Sequence, residues 1–401
     1  MNRRVNQGLL LTPFAVFLFI LPFPGTVALR LLCLALAFAA ALWSWRRLSP
    51  APIPCRTVLI LWSAVALAAV PWSFDPAYSL GEFKNEVGYA MMAFVAFFAV
   101  SRGARELRWF IAALALAALV IAVWGGYAAL RAGDWQDGGG HGGRGALGAF
   151  VVAVFPLFGI AAVAARRRSE RIVIAIVLIG LIAITLAGRQ RIVWPVLALQ
   201  IILGIFLLRR AGMIIASPRI AAAALAGIVL IAVTGVAAMQ AWRLADRNTR
   251  PFIDDARIAQ WPRVMNRIIE TPLGNGFGRQ AMRKAHPDLV PGSDTNLWHA
   301  HNVFLNYGIS AGLPGMAVIA AVFIALGMAH LRVARGAPGN WALLGIAGVL
   351  MIVGVVARNL TNDFFVRDGA LLFWALNGAL LGCGMRRLAG AGPPPATGQA
   401  A

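Results

Sequence analysis

Acidic residues are scarce in this chain. Its 401 residues include 15 Asp and Glu against 36 Lys and Arg, and charged residues of all kinds make up only 13%. So little charge beside 60% hydrophobic residues lies far outside the composition of a soluble enzyme. Cysteine is sparse as well. Cys33, Cys55 and Cys383 lie in or beside apolar segments without CxxC spacing, so they imply neither a disulfide framework nor a metal site. There is no HExxH segment, and no acidic pair is spaced to hold a divalent cation. Asp254 and Asp255 are adjacent and diverge on a helix. Short alternating polar and apolar segments are missing too, which removes a β-barrel.

What the chain has instead is long apolar runs. Windows near 7–22, 27–45, 57–71, 87–100, 109–130, 146–165, 172–187, 192–208, 219–240, 303–331, 341–357 and 369–385 read as about twelve spans. Several are shorter than the ~20 residues that a perpendicular span needs, so their ends should run into the flanks. Arg3 and Arg4 before an apolar run resemble a signal peptide. No small-residue cleavage site follows, and Pro22 to Gly25 reads as a short loop, so this run is taken as a retained first helix. The fold class expected is an all-α polytopic integral membrane protein.

The net charge of +21 invites a nucleic-acid reading, but its distribution argues otherwise. With the first terminus cytoplasmic, alternate loops hold Arg3/Arg4, Arg46/Arg47/Arg56, Arg102/Arg105/Arg108, Arg166/Arg167/Arg168/Arg171, Arg209/Arg210/Arg219, Arg332/Arg335 and Arg386/Arg387. Those loops collect nineteen basic residues against two acidic ones, Glu106 and Glu170. The opposite side keeps seventeen basic and thirteen acidic residues. Such a bias is the positive-inside rule, and it puts both termini in the cytoplasm. The charge is largely topology.

Polar material concentrates on the other face. Asp75 to Glu86 reads as a polar loop, and DWQDGGGHGGRG over 134–145 as a flexible connection that includes His141. Arg189 and Arg191 flank Gln190 in a tight hairpin. Residues 242–300 form the one long loop, roughly sixty residues, a length usually functional or disordered. RNLTNDFFVRD over 358–368 closes the set. The domain plan is one transmembrane domain over 1–388, including the outer loop 241–302, then a compositionally disordered cytoplasmic tail over 389–401.

Inside the long loop, Ile253 to Glu270 reads as an amphipathic helix. Ile258, Trp261, Val264, Met265, Ile268 and Ile269 make one stripe, Arg263 and Arg267 a polar face, and Arg257 falls on the edge of the stripe. Thr271, Pro272 and Gly274 stop it. This helix should lie on the outer membrane surface or cap a cavity between spans.

Three groups carry chemistry. Arg189 and Arg191 sit where positive residues are disfavoured, without an acid in their hairpin. They either snorkel to lipid headgroups or cradle an anion, since guanidinium forks match phosphate oxygens. Arg257 either covers apolar surface and pairs with Asp254 or Asp255, or turns inward to join them. Arg263, on the polar face, is a weaker partner. His301, with Asn302, sits where the polar loop meets the apolar run from Val303. A helix N-terminus and nearby arginines both disfavour an imidazolium, so the ring should stay neutral and able to accept a proton. His299, two residues away, would point elsewhere on a helix and is supporting or incidental. His286 and His330 receive no role. With no metal motif, arginines rather than a cation would stabilise developing charge, and no cofactor is expected.

AHNVFLNYGISAGLPG, 300–315, resembles the hallmark of the O-antigen ligase and polymerase superfamily. TLAGRQR, 185–191, is similar to its arginine hairpin, and RIAQWPRVMNRIIETPLGNGFG, 257–278, looks like its Arg-x-x-x-Trp helix and glycine turn. Gly188 stands where the family usually has Ser before Arg, leaving Arg189 and Arg191 both open as the matching residue. The resemblance implies a GT-C-like membrane glycosyltransferase in the inner membrane of a Gram-negative bacterium, its site facing the periplasm. It also implies an undecaprenyl-diphosphate-linked O-antigen as donor and lipid A–core oligosaccharide as acceptor. Arg189, Arg191, Arg257 and Arg263 would hold the diphosphate, and His301 would be the base, supported by His299 and Asn302. A ligase is the first reading, because only one sizeable outer loop is present. A polymerase or related surface-glycan ligase is the enzymatic alternative. A lipid-linked glycan transporter is the non-enzymatic one, although the spans are bland and the polar residues gather at one face.

Overall fold

The computed structural model describes residues 3–48, 50–132, 143–188, 190–214, 218–245, 256–278, 280–289, 299–361, 363, 365 and 367–390. Among these, every regular element is helical. The chain begins with α1 (Arg3–Ile20), α2 (Val27–Trp43), the short α3 (Trp45–Leu48) and α4 (Arg56–Ala68). Then come α5 (Pro76–Phe83), α6 (Tyr89–Val100), α7 (Ala104–Ala132), α8 (Gly143–Ala164), α9 (Arg168–Ala187), α10 (Val193–Arg210) and α11 (Pro218–Ala245). The outer segment contributes α12 (Ala256–Glu270) and α13 (Ala281–Ala285), and the chain ends with α14 (Val303–Gly336), α15 (Ala342–Asn359) and α16 (Arg367–Gly390). Among the described residues, eight segments are long and apolar enough to cross a membrane, and shorter apolar helices stand at the four remaining expected positions.

Three expectations need revision. Asp75 to Glu86 is helical rather than a loop. The Asp75 carboxylate accepts from Tyr78 N at 3.0 Å, Pro76 supplies the first helical residue, and a π turn over Lys84–Gly88 joins α5 to α6. The amphipathic helix is described over Ala256–Glu270, the expected start at 253–255 lying outside the described residues, and Ile269 is exposed instead of sharing the buried stripe. The apolar run from Val303 is not one helix. Residues 391–401, most of the expected tail, and His141 also lie outside the described residues.

Glycine and aromatic packing brings the spans together. A methyl group on Gly378 or Gly382 of α16 would strike the backbone of Phe94 and Phe98 on α6, so these two helices touch main chain to main chain. Trp62 of α4 stacks on Trp374 with ring centres 5.0 Å apart. Two buried polar side chains bridge spans: Gln200 Nε2 donates to Val152 O at 2.9 Å and Leu350 O at 3.0 Å, and His330 Nε2 lies 3.0 Å from Asn377 Oδ1. His330 is thereby a strut between α14 and α16.

The ends of the bundle sort the loops as the arginine pattern predicts. At one end Arg386 Nη2 donates to Leu48 O and Ala99 O, and Arg387 lies 4.3 Å from the Trp341 ring. At the other, Arg358 Nη2 donates to Gly145 O at 2.5 Å. There too the buried Arg30 of α2 forms an ion pair with Asp368 of α16 and donates to Thr26 Oγ1 and Phe23 O.

Ala311 (φ −130°, ψ 21°) and Gly312 (φ 66°, ψ −163°) break α14. A break at membrane depth frees backbone groups that must find partners. Residues 272–278, PLGNGFG, provide them. Asn275 N donates to Ile309 O at 2.9 Å, Gly276 N donates to Ser310 O at 3.0 Å, and Leu313 N donates to Pro272 O at 2.9 Å. This loop is itself anchored, because Phe74 N donates to Asn275 O and Trp72 Nε1 to Leu273 O. Gly274 has a positive φ of 79°, and any side chain there would strike the α14 backbone at 310–312. The spacing of glycines is a steric requirement of the insertion.

Gly312→Ala should therefore destabilise the protein by at least about 1–3 kcal/mol, since its φ and ψ are accessible only to glycine and Pro272 O occupies the space. Gly327→Ala, in the same helix with open space around it, should not. Melting of the detergent-solubilised variants checks this; equal melting temperatures would remove the strain argument. A second prediction concerns pH. Asn275 Nδ2 donates to His286 Nε2 at 2.7 Å, and burial, then the Arg267 guanidinium, push that imidazole below its ordinary range. A lowered pKa means that the unfolded chain binds a proton the native one refuses, so stability is lost as pH falls below about 6.5. His286→Gln keeps an acceptor for Asn275 and should flatten that part of the acid dependence of melting between pH 7 and 5. An unchanged dependence would clear His286 of the role.

Candidate functional site

The site grows from four residues, His299 to Asn302, each held by a different contact. Asn302 caps α14: its Oδ1 accepts from Phe304 N at 2.9 Å and from Leu305 N at 3.2 Å, while its Nδ2 donates to Leu360 O at 3.0 Å. Ala300 O accepts from Trp261 Nε1 at 2.8 Å, tying the segment to α12. Ala300 N donates to Asn306 Oδ1 at 2.9 Å, and Asn306 Nδ2 donates to the Asp363 carboxylate.

His301 sits between these anchors with φ 52°, in the left-handed region. Side chains other than glycine visit it uncommonly, histidine more often than most, at a cost on the order of 1–3 kcal/mol. His301 N donates to His299 Nδ1 at 3.0 Å, and the two rings lie 3.9 Å apart at 33°. His299 therefore does not point elsewhere, as helical spacing implied. Residues 299–301 are not helical, and the left-handed turn folds one ring onto the other. A backbone N–H can only donate, so His299 Nδ1 carries no proton. His299 is buried and His301 half-buried, so His301 presents the more open ring of the pair.

Of the four arginines, Arg257 bonds to the same turn as Asn302. It lies in the first turn of α12, and its Nη1 donates to Thr361 O at 2.7 Å, one residue beyond the carbonyl that Asn302 holds. Such a charge-assisted bond contributes about 1.5–3 kcal/mol. Arg191 donates to Gln240 Oε1 of α11. Two residues on, Val193 borders Gly148 together with the Arg358 guanidinium, so Arg191 lies at the same end of the bundle. Arg263 is placed differently: exposed, it donates to Asp288 O at 2.8 Å, beside Arg267, which pairs with Asp288 and Glu270. Arg189 lies outside the described residues, as do Asp254 and Asp255.

Sequence reasoning assigned no role to Arg358, Asn306 or Asp363. Arg358 is completely buried at the end of α15. Its signal was present, because an ionisable residue closing an otherwise apolar span is unusual and commonly functional. Asn306 and Asp363 gave no such signal, since a polar residue one turn into a helix and an Asp in a polar turn are both ordinary.

Asn302 and Arg257 bond to the turn at residues 360–361 that follows Arg358, His301 is next to Asn302, and Arg191 lies at the same end of the bundle. Guanidinium groups suit a doubly charged oxyanion, and an imidazole can accept a proton. No curated protein matches the chain. A family model described as O-antigen ligase does match, over residues 188–320. The match begins at the arginine hairpin, takes in α12 and the PLGNGFG insertion, and ends inside α14 just past its break. That segment, about a third of the chain, is therefore similar to the O-antigen ligase family, which supports a function of the ligase or polymerase type.

Proposed function

We propose that this protein is an O-antigen ligase of the bacterial inner membrane. In this reading it has twelve spans, counting the four shorter apolar helices, with both termini cytoplasmic and a GT-C-like plan. Its site faces the periplasm. The donor is an undecaprenyl-diphosphate-linked glycan, and the acceptor is a sugar hydroxyl of lipid A–core oligosaccharide. The observation that carries the reading is the shared turn: Asn302, next to His301, holds Leu360 O, and Arg257 holds Thr361 O. A base and a diphosphate-binding cation thus belong to one corner of the protein.

The chemistry is a direct displacement. His301 takes the proton from the acceptor hydroxyl as its oxygen bonds to the anomeric carbon. The bond from that carbon to the diphosphate oxygen breaks, and its electron pair leaves with the polyprenyl diphosphate. Attack opposite the leaving group inverts the anomeric centre. Arg257 and Arg191, with Arg189 and Arg263 in support, take up the negative charge that develops on the diphosphate, so the reaction needs no divalent cation. Diphosphate departs readily, and an imidazole suffices as base when proton loss is late.

The test uses purified protein with lipid-linked glycan from the source membranes, offered lipid A–core or a second lipid-linked repeat as acceptor, in excess chelator. Transfer to lipid A–core is expected, and His301→Ala should lower it about 10²-fold or more while the protein stays folded. Transfer only to the lipid-linked repeat would make the protein a polymerase. Near-normal transfer by His301→Ala would overturn the base assignment, and activity that returns only with added divalent cation would overturn metal independence.

A further inference from the structure

Ala300, directly before His301, has both backbone polar groups bonded to side chains from elsewhere. Trp261 of α12 donates to its carbonyl, and its N–H donates to Asn306 Oδ1. Ala300 is fully buried, so water cannot replace either partner. Whether the second bond exists depends on which way the Asn306 amide faces. With its oxygen toward Ala300, its NH2 needs an acceptor, and Asp363 Oδ2 is there. An ionised carboxylate only accepts, so a flipped Asn306 would meet it oxygen to oxygen and turn its NH2 against the Ala300 N–H. Asp363 is fixed in turn. It is 3% exposed, and its Oδ1 accepts from Phe365 N at 3.0 Å.

We propose that Asn306 and Asp363 are positioning residues for glycan transfer. The buried carboxylate sets the orientation of the amide, the amide holds Ala300, and Ala300 holds the left-handed His301 where its ring meets the acceptor hydroxyl. The proposal rests on reading His301 as the base. Neither residue touches substrate. Their effect is on where the ring is, and ångström-scale misplacement of a reacting group costs rate more than binding.

The polarity of the pair can be exchanged. Asn306→Asp alone sets two carboxylates against each other. Asp363→Asn alone sets NH2 against NH2. With both exchanged, the carboxylate at 306 accepts from Ala300 N and from the amide at 363, whose oxygen still accepts from Phe365 N. Transfer from source-membrane lipid-linked glycan to lipid A–core is measured for each, with diethylpyrocarbonate modification of His301 read separately by peptide mass without substrates. Each single change should lower kcat about tenfold or more, leave KM within about twofold and alter the His301 modification rate, and the exchange should restore both kcat and the modification rate. In the His301→Ala background the single changes should leave the residual rate where it is. If Asn306→Asp alone does not fold, the isosteric Asp363→Asn and the exchanged pair carry the comparison. Unchanged kcat and modification in the single variants overturns the proposal. So does an exchanged pair that melts like the parent without recovering, or further loss in the His301→Ala background. Full transfer by His301→Ala would defeat the base reading instead, and the modification rate would still report whether the pair positions the ring.

Discussion

The backbone insertion of PLGNGFG into the break of α14 is the contact on which the rest of the outer face depends. It closes the hydrogen bonds that a broken membrane helix leaves open, and so lets residues 303–310 stand as a separate half-helix. The same loop continues directly from α12. One element carrying Arg257 and another carrying His301 are thus joined at two places: through the loop at the break, and through Trp261 on Ala300. The spans below provide a floor, and these two bridges decide what stands on it.

The electrostatics follow from that arrangement. The half-helix is capped by Asn302, and its N-terminus adds partial positive charge at the corner where Arg257 is held. Arg358 is wholly buried, an expensive place for a cation even with Gly145 O as acceptor. Its cost is offset only where other interactions hold it, and it raises the positive potential next to Arg191 and Arg257. A corner so charged attracts anions.

Much of this was legible in the sequence and some was not. Apolar runs and arginine placement located the helices and sorted their ends, because both express the cost of moving charge through lipid. The helix start just after Asn302 and the buried face of α12 at Val264 and Ile268 followed from local spacing. The break in α14 did not, since Gly312 sits in an apolar run that composition reads as continuous. Its only trace was the glycine spacing of 274–278, far away in the chain. His299 was misjudged because helical spacing was extended past the cap, where one left-handed residue reverses the direction of the rings. Arg358 and Asp363 were read as part of a polar turn, for burial is decided by neighbours that no local pattern names.

The ion pair between Arg30 and Asp368 also bears on how the molecule is made. Arg30 belongs to α2 and Asp368 to α16, so the ribosome makes the guanidinium long before its carboxylate. Until α16 arrives, that guanidinium has only the Thr26 hydroxyl and the Phe23 carbonyl for company at the edge of the bilayer. The contact between α2 and α16 is therefore completed only when α16 is in place, and a chain truncated before Asp368 keeps the guanidinium without its carboxylate.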